Sequence, residues 1–121
     1  MTNKEEAYIK IWVDDIRPAP EGYVWCRTVT EAKREIILAE RGLSDPHDNY
    51  HPWNLVSIID MDHDAGDYAC FGGDYIKLLD WLEETNRNYP IRLHSMNPVG
   101  VENMRRIIQK NGWTEVRKQC Y

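Results

Sequence analysis

The sequence predicts an α/β fold: a three-layer sandwich around a mostly parallel five-stranded sheet of spatial order 2-1-3-4-5. Three observations lead there. Short apolar runs (IKIWV, LVSIIDM, IRL) alternate with helical patterns, which is how a chain builds a parallel sheet. LVSIIDM is apolar without alternation, the mark of a central strand buried on both faces. The runs also end in polar residues: Asp14 and Asp15 after the first, Asp62, His63 and Asp64 after LVSIIDM, and His94, Ser95 and Asn97 after IRL.

Residues 8–13 form the first strand, a β-branched and aromatic run stopped by Asp14. Pro18, Pro20 and Gly22 then break the chain. Residues 23–27 read as the second strand. The link before them is too short for the helical crossover that parallel neighbours use. The first crossover helix is therefore missing, and strand 2 is expected to run antiparallel to strand 1 or to form an irregular edge. Thr28 with Glu31 is a capping box. It opens a helix to about Glu40, with Ala32, Ile36 and Ala39 as its buried stripe and Gly42 as its stop.

Residues 43–54 are a polar, proline-containing loop, and residues 55–61 the third strand. The loop over 62–73 carries Gly66, Gly72 and Gly73, and a helix over 74–85 presents Tyr75, Ile76, Leu79 and Leu82 on one face. The fourth strand is 91–93. Asn97 is a preferred N-cap, and Pro98 suits the first position of a helix running to Lys110, with Gly112 as its C-cap. Residues 113–117 close the sheet as strand 5. Right-handed crossovers make this a flavodoxin-like topology, whose ligands bind beyond the C-terminal strand ends.

With 121 residues the chain is a single domain, residues 1–121. A net charge of −5 speaks against bulk nucleic-acid binding, which needs a basic surface, but leaves a small nucleotide or an RNA terminus open as ligand. No apolar run reaches membrane length and MTNKEEAYIK is too polar for a signal peptide, so a cytoplasmic protein without a membrane partner is expected. Cys26, Cys70 and Cys120 are an odd number without a CxxC pair, which argues for free thiols over a disulfide framework or a cysteine-bound zinc. The tryptophans and tyrosines read mostly as packing residues with a polar tip.

Asp14, Asp15 and either Asp60 or Asp62 lie at neighbouring strand ends, and adjacent strands are about 5 Å apart. Carboxylates brought that close need a cation or a shared proton, and an oxygen-rich set suits Mg²⁺ or Mn²⁺. Asp14, Asp15, Asp62 and Asp64 are the candidate metal ligands. His63 and His94 flank the same edge and could act as general acid and base on a phosphoester, with Asp62 beside them as the third candidate catalytic residue. Ser95, Asn97 and the N–H groups of the helix start could hold phosphate oxygens, and Arg17 could add a guanidinium fork. Arg105 reads as a surface arginine paired with a local acid. His47, Asp48 and His51 hint at zinc or manganese, but Pro46 and Pro52 make that segment a loop. No Walker or GxGxxG pattern accompanies the glycines.

VDDIRPAPEGYVWCRTVTEA, DMDHDAG and HSMNPVGVENM, in this order, resemble the cyclic-phosphate processing receiver-like domains. The resemblance spans Ile11 to about Gly112, and its most specific parts are DD-x-R-x-x-P from Asp14, the DHD at Asp62 and H-S-x-N-P from His94. It implies a receiver-type fold and a site for cyclic phosphates of nucleotides or RNA ends. Residue by residue it points to Asp14, Asp15, Arg17, Asp62, His63, Asp64, His94, Ser95 and Asn97. The chain departs from the pattern after Gly66, where GDYACFGGDY replaces a shorter turn. The expected function is a phosphoesterase-type hydrolase. The alternatives are a non-catalytic nucleotide binder and a signalling module phosphorylated on Asp62.

Overall fold

The computed structural model of the protein describes residues 8–41 and 56–117. Strands β1 (Ile9–Val13), β2 (Tyr23–Cys26), β3 (Val56–Met61) and β4 (Ile91–Leu93) form one sheet in the order β2-β1-β3-β4. Helices α1 (Val29–Arg41), α2 (Ile76–Glu84) and α3 (Pro98–Asn111) connect them, and Gly66–Cys70 is a single 3-10 turn. This is the expected receiver-like α/β fold. Gly42, the loop over 43–54 and Lys118–Tyr121 lie outside the described residues.

Every strand pair is parallel, including β1 with β2. The expected antiparallel second strand is therefore corrected. Register gives the reason: Tyr23 sits beside Lys10 and Cys26 beside Val13. The chain has to travel back only along residues 10–13, roughly 10 Å at the usual rise per strand residue. An extended link, with φ fixed at Pro18 and Pro20, covers that distance without a helix. The fifth strand is reduced to one parallel bridge between Ile91 and Glu115. Ile91 takes both of the bonds there, its N–H to the Thr114 carbonyl and its carbonyl from the Val116 N–H, at 3.0 and 2.7 Å.

Helix boundaries follow their caps. The Thr28 hydroxyl oxygen accepts the Glu31 N–H at 2.9 Å, the first half of the capping box. Asn97 Oδ1 accepts the Gly100 N–H at 3.1 Å, Pro98 opens α3, and Gly112 ends it in the left-handed region at φ 68°. α2 starts at Ile76 after Tyr75, with no side-chain cap, while the Asp74 carboxylate accepts the Ala65 N–H at 3.2 Å.

Period-two alternation assigns the two faces of the sheet. Ile11, Val13, Cys26, Ile59, Met61 and Ile91 share one cluster with the buried residues of all three helices, such as Ile36, Leu79 and Met104. The opposite face presents Lys10, Trp12, Tyr23, Trp25, Ile58, Asp60 and Arg92 in matched register. Trp12 and Ile58 are buried there, outside the main cluster. The buried residues of α1, α2 and α3 all join the cluster on the first face.

Candidate functional site

The polar strand ends meet at the C-terminal edge of the sheet. Asp14 leaves β1 in a turn that its own side chain stabilises: Oδ1 accepts the N–H groups of Ile16 and Arg17 at 2.9 and 3.0 Å. Its carbonyl accepts Trp25 Nε1–H at 2.8 Å. Its other carboxylate oxygen faces His94 Nε2 at 2.8 Å, while His94 Nδ1 faces Asp60 Oδ1 at 2.7 Å. Trp12 stacks on the imidazole with centroids 3.9 Å apart and planes 7° from parallel. Arg92 Nη1 donates to both Asp60 oxygens at 3.2 Å.

Asp14, Asp60 and the His94 side chain are buried, with no more than 5 % exposure each. Each of the two carboxylates therefore has one nitrogen of the His94 ring against it, and Arg92 stands beside Asp60 as well. Burial alone would raise the Asp14 carboxyl, but the N–H bonds from Arg17 and Ile16 and the His94 ring hold it below the ordinary value.

Asp15 and Asp62 complete an acid cluster with Asp14. One oxygen from each lies within 4.8 Å of the others. Burial and the neighbouring Asp14 and Asp62 charges push the Asp15 carboxyl above its usual range. Gly66, at φ 57°, comes so close that a Cβ there would sit 2.5 Å from Asp15 Oδ2. Three hard oxygen donors that repel one another fit Mg²⁺ or Mn²⁺, with water completing the coordination. Asp64 is not brought into this group. It turns to His63, accepting from Nδ1 at 2.8 Å, and its second oxygen lies 3.5 Å from Asn97 Nδ2.

His63 is fixed from two further directions. Its N–H donates to Asp62 Oδ1 at 2.7 Å, and its ring lies on Gly100, where a Cβ would meet His63 Cγ at 2.4 Å. Of the expected phosphate ligands, Asn97 is engaged as the α3 cap. The Ser95 oxygen accepts the Asn97 N–H at 3.1 Å, which leaves its hydroxyl hydrogen free to donate. Arg17 reaches across from the β1–β2 link and donates to the His94 carbonyl at 3.2 Å.

Other candidates resolve plainly. Arg105 pairs with Glu115 at 2.8 Å and Glu102 at 3.3 Å, a local ion-pair role. Gly72 and Gly73 pack against Val29 and Lys77. Cys70 is exposed; Cys26 is buried and its thiol is pushed up to about 12 by burial. His47, Asp48, His51 and Cys120 lie outside the described residues. Sequence reasoning missed Arg92 and Trp12 as supports of the site and left Asp60 as an alternative to Asp62. The signal for Asp60 was present: an aspartate inside a mostly apolar strand is seldom buried without a partner.

A receiver-type α/β sheet with its acid pair and a third strand-end aspartate converging defines the class. The family model described as the cyclic-phosphate processing receiver domain matches residues 9–110, and the chain belongs to that family. Neither the curated proteins nor the solved structures hold a significant match to the chain. Among the described residues no helix is long and apolar enough to cross a membrane.

Proposed function

We propose that these strand ends form a hydrolytic site for the cyclic phosphates of nucleotides or RNA ends, with Asp14, Asp15 and Asp62 holding a divalent cation. The observation that carries the reading is the approach of the three carboxylates to within 4.8 Å at the edge where this fold binds ligands. The ion, when bound, supplies positive charge against the phosphate oxygens. Asp64 serves His63 instead of the ion. With Nδ1–H donated to Asp64, His63 Nε2 is left to take a proton from the attacking water. The water oxygen bonds to phosphorus, one ring P–O bond breaks, and the released ribose oxygen gains a proton from solvent. The product is a phosphomonoester. Arg17 offers its guanidinium, Ser95 its hydroxyl and α3 its N-terminal dipole to the phosphate.

His94 has a different assignment. Both of its nitrogens are committed to Asp14 and Asp60, so it positions Asp14 and does not exchange protons with substrate. The test is ring opening of nucleoside 2′,3′-cyclic phosphates by wild type and His63→Gln. The variant should keep its melting temperature and lose about 100-fold or more in kcat, the scale of a lost general base. Undiminished hydrolysis would sink the assignment.

The same acid cluster favours one further reading, in which Asp62 accepts a phosphoryl group as a signalling receiver does. Incubation with a small phosphodonor followed by intact-mass measurement separates the two, since only this reading gives a stable adduct on Asp62.

A further inference from the structure

Arg17 is exposed, yet it is held at both ends. At the tip of the side chain, Nη1 donates to the His94 carbonyl at 3.2 Å. On the main chain, the Arg17 carbonyl accepts Trp12 Nε1–H at 2.9 Å. Trp12 in turn stacks on the His94 ring, with centroids 3.9 Å apart and planes 7° from parallel. Trp12, Arg17 and His94 thus close a circuit of three contacts, and His94 Nε2 joins it to Asp14 at 2.8 Å.

The parallel register of β2 builds this circuit. Trp12 and Trp25 are partners on adjacent strands and share one face of the sheet. Each donates its indole N–H to the link that leaves β1, Trp25 to the Asp14 carbonyl at 2.8 Å and Trp12 to that of Arg17. Between these two points Asp14 Oδ1 accepts the N–H groups of Ile16 and Arg17. The Asp14 turn therefore takes hold of Arg17 on its N–H side, and Trp12 takes hold of it on its carbonyl side. Tyr23 meets the Trp12 ring edge-on, at 5.9 Å and 81°.

A buried indole usually finds an acceptor, so the Trp12 bond alone says little. Its acceptor gives it meaning, because Arg17 is the arginine at the strand ends. A long exposed side chain samples many rotamers and loses them when it grips an anion. Holding Arg17 at its carbonyl and at its tip removes part of that loss before any ligand arrives. A guanidinium has five N–H donors, and the His94 carbonyl engages one nitrogen from the side, so a fork toward phosphate oxygens is compatible with this hold.

We propose that Trp12 is a positioning residue for phosphate binding: its indole N–H holds the main chain of Arg17, and through it the guanidinium, in place for the anion. Trp12 itself does not touch the substrate. The inference rests on the phosphate reading above and adds a residue that acts through Arg17. Steady-state ring opening of nucleoside 2′,3′-cyclic phosphates by wild type, Trp12→Phe, Arg17→Ala and the double variant tests it. Phenylalanine keeps an aromatic ring for the His94 stack and removes the N–H. Trp12→Phe should raise KM about 5-fold, the scale of one neutral hydrogen bond, with kcat within about 2-fold, the opposite split to His63→Gln. Arg17→Ala should raise KM about 10-fold or more, and the double variant should match Arg17→Ala.

A KM unmoved by Trp12→Phe, a fall in kcat in its place, or full additivity in the double variant would overturn the proposal. Should Trp12→Phe fail to fold, benzothienylalanine at position 12, with sulfur where indole has N–H, makes the same comparison. If wild type opens no cyclic phosphate, the hydrolytic reading falls, and the hold on Arg17 is judged from the NMR order parameter of its backbone amide. Loss of the indole N–H should then lower that value from about 0.85 to below about 0.6, and an unchanged value would overturn the hold as well.

Discussion

Asp14 and Asp60 are buried carboxylates on neighbouring strands, and His94 lies between them with one nitrogen on each. Neither carboxylate has water to fall back on, so the ring matters to the fold before it matters to any reaction. His94→Ala leaves one Asp14 oxygen without its ring partner and Asp60 with Arg92 alone. Removing one member of a buried charge set costs about 3–5 kcal/mol. Urea denaturation should show a loss of that size, and a loss below about 1 kcal/mol would contradict the structural role.

Asp15 behaves in the opposite sense. Its carboxyl is raised by burial and by Asp14 and Asp62, so ionising it works against the folded state. The stability tied to such a group is fully present below the unfolded value of about 3.9 and is lost as pH rises through the raised folded value. Asp15→Asn should therefore raise the melting temperature of the metal-free protein near pH 7, with the gain shrinking below about pH 4. The same variant should lose stabilisation by Mg²⁺. A lower melting temperature for the variant at neutral pH would contradict the repulsion.

At the scale of elements, α3 does two jobs with its first turn. Asn97 caps it, and Gly100 gives the His63 ring a surface without a Cβ. Gly100→Ala would ordinarily favour a helix by roughly 0.5–1 kcal/mol. Here the new methyl meets the ring at 2.4 Å and must push His63 off Asp64 or out of the turn. The variant should fold and hydrolyse cyclic phosphate at least about 10-fold more slowly, because misplacement by about 1 Å is costly in a catalytic group. Activity equal to wild type would show that His63 need not hold this position.

The same scale shows what the sequence discloses. Caps are local chemistry, so Thr28, Asn97, Pro98 and Gly112 mark α1 and α3 directly. β3 is legible from its unbroken apolar run. The direction of β2 is not, because it depends on a register reached through an extended link that no local propensity encodes. The candidate site divides in the same way. Convergence of Asp14, Asp15 and Asp62 follows from strand ends alone. The partners of His94 do not: Asp14 is 80 residues and Asp60 34 residues away in the chain. Asp64 is adjacent to His63, yet its turn away from the acid cluster depends on the α3 side of the site.

For the molecule as a whole, β1 and β2 are joined without a helix, and among the described residues α1, α2 and α3 share one cluster with one face of the sheet. Arg17 can reach the His94 carbonyl because the β1–β2 link is extended chain over that edge and not a helix beside it. An acidic molecule, net charge −5, gathers three of its carboxylates at one point, and a divalent cation is the species that would make this favourable for an anionic phosphate.

The most direct measurement is a phosphorus NMR time course of the four nucleoside 2′,3′-cyclic phosphates with the wild-type protein, in Mg²⁺ or Mn²⁺ and again in EDTA. Conversion of the cyclic resonance to a single phosphomonoester in metal, and none in EDTA, is the predicted result. A cyclic phosphate that stays intact in both, or is opened equally fast in EDTA, would contradict the account.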